Sequence, residues 1–284
     1  MNNIELSTVY LPLLDRVYKE ASKTSILDGD EAVVKKGNNG EIKVAQLDMD
    51  GLGDFDRNSG YTKGNTVFKF ETIKYDKERS QDLRIDRLDN DEALDLPFAK
   101  LSSEFLRTKV IPETDAARIA KIAGTEGITS VEENFTTGEE VVKGLRACVN
   151  KMDEDEVSTE NRILFITPTN RALVTDMDSY KSKAVLERFS SIIEIPQTRM
   201  YDAIELNDGN ESYGYKKTTT AKELNFLCVE RSAVVSAMEQ YIKYFTPDQD
   251  QDGDSHVFKY RNYNLYAHVY ENKLAGVYVS KKAN

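Results

Sequence analysis

"LDLPFAKLSSEFLRTKVIPETDAARIAKIAG", Leu94 to Gly124, decides the fold. Phe98, Leu101, Phe105, Val110, Ile119, Ile122 and Ala123 keep helical spacing. Asp95 suits the N-cap, where a short acidic side chain accepts from the first free N–H groups, and Gly124 suits the stop. About 28 helical residues span roughly 40 Å, which makes this the longest element in the chain. Pro112 has no N–H to give, and its ring crowds the carbonyl one turn back, so it kinks or divides the helix.

Working outward toward the N-terminus, Glu41 to Asp91 is β-rich and poorly provided with large apolar residues. "EIKVAQLDMD" alternates through Ile42, Val44 and Leu47, "NTVFKFETIKY" is strand-like, and "LRIDRL" alternates again. The polar segment "DGLGDFDRNSGYTKGN", 50–65, joins the first two. In "YDKERSQDLRIDRLDNDE" both charge signs interleave. A two-stranded ribbon is marginal in water alone, so this one must rest on something else. The expectation is that Phe68 and Phe70 lie on another subunit, where Asp82, Arg84, Asp86 and Arg87 meet opposite charges. Further upstream, Leu11, Leu14, Val17, Tyr18 and Ala21 suit a short amphipathic helix with Pro12 in its first turn: a core helix, or an arm that docks on a neighbour.

Toward the C-terminus, strands and helices alternate. "TTGEEVVKGLRACVNKMDEDE" reads as a helix from Thr137, and "NRILFITPTNRALV" as a buried strand closed by Pro168. "SSIIEIPQTRMYDAIEL" reads as a strand pair, and "LNFLCVERSAVVSAMEQYIKYF" as strand then helix. "HVFKYRNYNLYAHVYENKLAGVYVS" gives two strands joined at Asn272. This part is expected to form a compact α/β domain.

Composition and motifs exclude more than they assign. The 284 residues carry 49 acidic and 38 basic side chains, a net charge of −11, which disfavours non-specific binding to a phosphate backbone. Cys148 and Cys228 form no disulfide framework and read as buried thiols. No secretory signal and no membrane-spanning run is evident. "GLGDFD" has Gly51 and Gly53, but Asp56 stands where a dinucleotide fingerprint needs its third glycine. His256 and His268 have no cysteine beside them for zinc. In "DQDQDGDSHVFK", Asp248, Asp250, Asp252 and Gly253 match the start of a calcium loop. Lys259 occupies the closing position, where a bidentate Glu belongs, so the stretch reads as a polar turn with the three aspartates as a weak metal candidate. Neither a catalytic site nor a cofactor is expected. An extended ribbon, a long helix and an α/β domain without an active site point to a structural, self-associating protein.

"YLPLLDRVYKEASKTSILD", "MDGLGDFDRNSGYTKGN", the helix from Leu94, "IIEIPQTRMYDAIEL" and "YFTPDQDQDGDSHVFKYRNYNLYAHVYENKLAGVYVSKK" together span nearly the whole chain. In this order they resemble the major capsid proteins of tailed bacteriophages, those with the Hong-Kong-97-type capsid fold, from phages and prophages of Gram-positive bacteria. The resemblance implies an α+β fold with an N-terminal arm (1–33), an extended β-hairpin loop (34–92) and a spine helix in a peripheral domain (93–124). It also implies an α/β axial domain (125–240) and C-terminal strands that complete the domains (241–284). It implies self-assembly through pentamers and hexamers into an icosahedral or prolate shell, built in the host cytoplasm around double-stranded DNA. No sequence-specific DNA binding and no membrane partner go with it. A portal and, since the hairpin begins near residue 34, a separate scaffolding protein are the further partners. A nanocompartment shell enclosing a cargo enzyme and a calcium-binding interaction module are the alternatives.

Overall fold

The computed structural model describes residues 22–29, 34–36, 41–58, 60–88, 96–250 and 253–283. The amphipathic segment Leu11–Ala21, the Asp95 cap and Asp252 lie outside them.

The long helix is divided, as Pro112 requires. Helix α1 (Leu96–Phe105) runs into a π-helical turn (Leu106–Val110), and α2 (Ile111–Ala123) continues from it. The Ile111 N–H reaches back to the Leu106 carbonyl, one residue further than an α-helix would. That wider turn makes room for the proline ring, so the axis is interrupted without being broken. Gly124 follows α2 because a Cβ there would stand 3.0 Å from the Ala120 carbonyl oxygen and 3.2 Å from that of Asp202.

Strands β1 (Val34–Lys36), β2 (Glu41–Met49) and β3 (Thr66–Lys74) form an antiparallel sheet in that order, and β2 and β3 pair along their whole length from Glu41↔Lys74 to Met49↔Thr66. The next strand, β4 (Lys77–Asp86), leaves the ribbon. It pairs antiparallel with β12 (Ser255–Val269), which pairs on its other side with β11 (Val234–Phe245). The interleaved charges of 77–86 therefore sit in a three-stranded sheet of the subunit body. Strand β11 replaces the helix expected over Ala233–Phe245. Its apolar residues suit either period, but the β-branched Val234, Val235 and Ile242 and the aromatic side chains favour a strand once β12 offers a ladder. The acid stretch is thus the tip of a β-hairpin and not a helix-to-strand turn.

The α/β part is built on a five-stranded sheet, β5 (Thr129–Glu132), β13 (Val277–Lys281), β10 (Leu224–Glu230), β6 (Arg162–Ile166) and β7 (Ser191–Glu194), in that spatial order. Every residue of β6 and β10 is buried, since both sheet faces are covered. On one face lies α3 (Gly138–Glu154), opened by a capping box in which Thr137 and Glu140 each satisfy the other's backbone N–H. Its Val141, Leu145, Cys148 and Met152 meet Leu164, Ile166, Phe226 and Cys228, while α4 (Pro168–Asp176) and α5 (Tyr180–Leu186) close the flank with Val174 and Val185. On the other face α2 packs Ile119, Ile122 and Ala123 against Phe165, Leu227, Val229 and Val279. The segment "SSIIEIPQTRMYDAIEL" holds two strands, but they do not pair with each other. Strand β7 pairs with β6, and β8 (Ile204–Leu206) pairs with β9 (Tyr215–Lys217) in a separate hairpin.

Candidate assembly surface

The ribbon stands clear of the body. At its base Ile73 is buried with Val235, Leu265 and Tyr270. Beyond that, Phe68 and Phe70 are 59% and 49% exposed and meet edge to face at 5.1 Å. Their spacing of two puts them on one face of β3. Met49, Leu52, Phe55 and Tyr61 are also exposed, so the ribbon carries an apolar strip from shaft to tip. The tip is built and not slack. Asp50 accepts the Asn65 N–H at 2.6 Å, Asp56 accepts the Asn58 N–H at 3.0 Å, and Thr62 donates to the Asp54 carbonyl at 2.7 Å. Gly60 turns the chain at φ +84°, where a side chain would be strained, and donates to the Asp56 carbonyl.

The charged candidates lie at the far end of β4. Arg84 lies 3.3 Å from Asp82 and 3.8 Å from Asp250, and Arg87 lies 3.4 Å from Asp248 and 3.6 Å from Asp254. Asp82 also faces Lys259 at 3.8 Å, and Asp86 accepts the Leu88 N–H at 2.9 Å. The sequence expectation placed the partners of this cluster on another subunit. Within the chain Asp82, Arg84 and Arg87 also have charged partners and Asp86 a backbone one, and Asp248, Asp250 and Asp254 of the hairpin tip face the two guanidinium groups. Among the described residues no three His, Cys, Asp or Glu side chains converge as metal ligands.

Sequence reasoning missed a polar clamp beneath the long helix. Asp115 is fully buried. One of its oxygens accepts from Ser22 Oγ at 2.7 Å, Thr24 Oγ1 at 2.6 Å and Thr24 N–H at 3.2 Å. The other accepts from Lys23 N–H at 3.1 Å and pairs with Arg199 at 3.2 Å. Arg118, one turn on and equally buried, donates to the Thr24 carbonyl at 3.1 Å and pairs with Asp28 at 2.5 Å. Together they fasten residues 22–28 to α2. An Asp and an Arg three apart in a run of small apolar residues, "DAARIA", was the available signal. On the opposite side, Arg79 on β4 grips Glu113 with two bonds of 2.8 and 3.1 Å and donates to the Asn207 carbonyl at 2.5 Å, tying the β8–β9 hairpin to the long helix. The two cysteines, far apart in sequence, meet in the core. Burial first, and then the Cys228 thiol, push the Cys148 thiol well up, so Cys148 stays a protonated core side chain.

No protein-family model matches the sequence, and no curated protein matches it. Solved structures do. The capsid structure of the cyanophage P-SCSP1u aligns at TM-score 0.58 with 14% identity, over 88% of this chain and 85% of that one. A structure from Gordonia phage Cozz aligns at 0.59 with 12% identity, over 93% and 87%. A virus-like particle from Pyrococcus furiosus aligns at 0.58 with 13% identity, over 94% and 95%. At such identities the likeness is one of fold, and the fold is the Hong-Kong-97-type capsid fold, α+β, traversed nearly end to end.

Proposed function

We propose that this chain is the major capsid protein of a tailed bacteriophage, copies of which assemble into the closed shell around the packaged double-stranded DNA. The observation that carries the reading is the pairing of this fold with an apolar ribbon left uncovered by its own subunit. Exposed Phe68, Phe70 and Met49 on a two-stranded hairpin are a poor bargain for a monomer and a good one for a lattice. In this reading residues up to 33 are the arm, the hairpin is the extended loop, 93–124 the spine helix and 125–240 most of the axial domain. The Asp82, Arg84, Asp86 and Arg87 cluster, already paired within the chain, then also meets the edge of the neighbour through its exposed sides, where single exposed pairs contribute about 1 kcal/mol at most and many symmetric copies add. Scaffolding and portal proteins complete the set of partners, with assembly in the host cytoplasm. The role is structural, without catalysis.

The test replaces residues 50–65 by a short Gly/Ser turn. The variant should keep the circular dichroism of the folded subunit and its solubility, yet build no closed particles by sedimentation and negative-stain microscopy, where the wild type does. Normal shells from the shortened protein would remove the ribbon as the clamp between subunits. A second reading, a shell that encloses a cargo enzyme, draws on the equally complete match to the Pyrococcus furiosus virus-like particle. Particles purified from the native source that contain protein cargo and no DNA would favour it.

A further inference from the structure

A cleft of about 640 Å³ opens between β4, the π-helical turn with the start of α2, and the β8–β9 hairpin. Phe105, Val110 and Tyr260 give it an aromatic and aliphatic wall, and Arg79 with Glu113 forms a charged rim. Asn262 lines it too, is 3% exposed, and its Oδ1 has no hydrogen-bond partner among the described residues. An orphaned buried acceptor is costly, so the cleft is suited to an occupant that brings both a ring and a hydroxyl or N–H donor.

The same chain displays such a group elsewhere. Tyr61, at the ribbon tip, is 88% exposed and is steadied edge to face by Phe55 at 5.1 Å. Nine paired residues of β2 and β3 extend roughly 30 Å, and Phe68, Phe70, Leu52 and Tyr61 are exposed along the ribbon, so its tip is open to a neighbouring copy. A knob and a pocket on different surfaces of one molecule make a head-to-tail contact, which closes into a ring when the rotation allows.

We infer that Tyr61 of one copy is the anchor that enters this cleft in the next. Its ring lies against Phe105 and Val110, and its hydroxyl donates to the Asn262 carboxamide, which turns about its soft terminal torsion to meet it. Phe68 and Phe70, on the flat of the shaft, cover surface; Tyr61 sets which copy follows which. The inference rests on the shell reading.

The experiment uses the full chain with Lys63→Cys beside Tyr61 and Lys109→Cys on the cleft, each also made alone, the native thiols being buried. Mild oxidation of assembled particles should give a disulfide-linked ladder that ends at a closed ring, absent from either single variant. Tyr61→Ala should raise the critical concentration for assembly by roughly a hundredfold, and Tyr61→Phe, which loses the hydroxyl alone, by about threefold to tenfold. Particles that form without a ladder, or a Tyr61→Ala protein that assembles like the wild type, would overturn the anchor and leave the shell reading standing. A wild-type chain that forms no particles, alone or co-expressed with the genes beside its own, would overturn the shell reading itself.

Discussion

Asp115→Ala removes the acceptor that holds residues 22–24 against the long helix. In the wild type one fully buried carboxylate takes five donors: two hydroxyls, two backbone N–H groups and the Arg199 guanidinium. Alanine leaves the Thr24 hydroxyl without its acceptor, and the Thr24 N–H with only the longer bond to Ser22 Oγ at 3.3 Å, in a place water does not reach, since Thr24 is fully buried. Arg199 is 21% exposed and recovers hydration, so the cost falls on the neutral donors and on the lost charge-assisted bonds. Breaking one side of a buried, hydrogen-bonded charge costs about 3–5 kcal/mol. At a urea slope of about 2–3 kcal/mol per molar, that lowers the unfolding midpoint of the unassembled subunit by roughly 1–2.5 M at unchanged slope. Asp115→Asn keeps one oxygen but turns an N–H₂ toward Lys23 N–H and Arg199, so it should fall between alanine and the wild type. Thr24→Val removes one of the donors, and its cycle with Asp115→Ala should show coupling of about 1 kcal/mol or more. An Asp115→Ala subunit that loses less than about 1 kcal/mol, or a cycle without coupling, would refute the clamp.

Glu140 accepts first from the Thr136 N–H and hydroxyl and then from the Thr137 N–H, which holds its carboxyl down to about 2. A depressed carboxyl stabilises the fold above its unfolded value near 4.3. That contribution fades as pH falls from there through about 2, so the difference in unfolding midpoint between wild type and Glu140→Gln should shrink across this window and be constant above pH 5. Leu106 is fully buried and Phe105 half-buried against Tyr260. Leu106→Ala should therefore cost about 2–5 kcal/mol and Phe105→Ala less, and the reverse order in chemical unfolding would place the π-helical turn in the wrong register. A Cβ on Gly138 would lie 2.2 Å from the Leu173 carbonyl oxygen, whereas one on Gly51 meets nothing within 4 Å. Gly138→Ala should lose about 1–3 kcal/mol and Gly51→Ala stay within about 0.5 kcal/mol, read from thermal melts. Asp250→Asn, which weakens the contact with Arg84, should cost about 1 kcal/mol or less, and neither protein should gain thermal stability with calcium. A calcium-dependent rise in melting temperature that the variant loses would restore the metal reading of the hairpin tip.

Local rules settled much of this protein without a fold. The helix through Leu96–Ala123, its interruption before Pro112, the start of α3 at Thr137 and the buried run of β6 all follow from side-chain period, a missing N–H and a capping box, which act over a turn or two of chain. The ribbon was legible for the same reason, since nine-residue alternation with Gly and Asn between is a local property. What stayed hidden depends on which distant segments meet. Residues 234–245 have apolar spacing that serves a helix or a strand, and the ladder offered by β12 chose the strand. Strand β4 reads like a continuation of the ribbon, yet β12 captures it from about 180 residues away, which gives its charges partners inside the subunit. Asp115 and Arg118 look like an ordinary solvated pair on a helix. Only the return of Ser22–Asp28 across α2 buries them and makes them a clamp, because a charge is tolerated in the interior when its hydrogen bonds are met there.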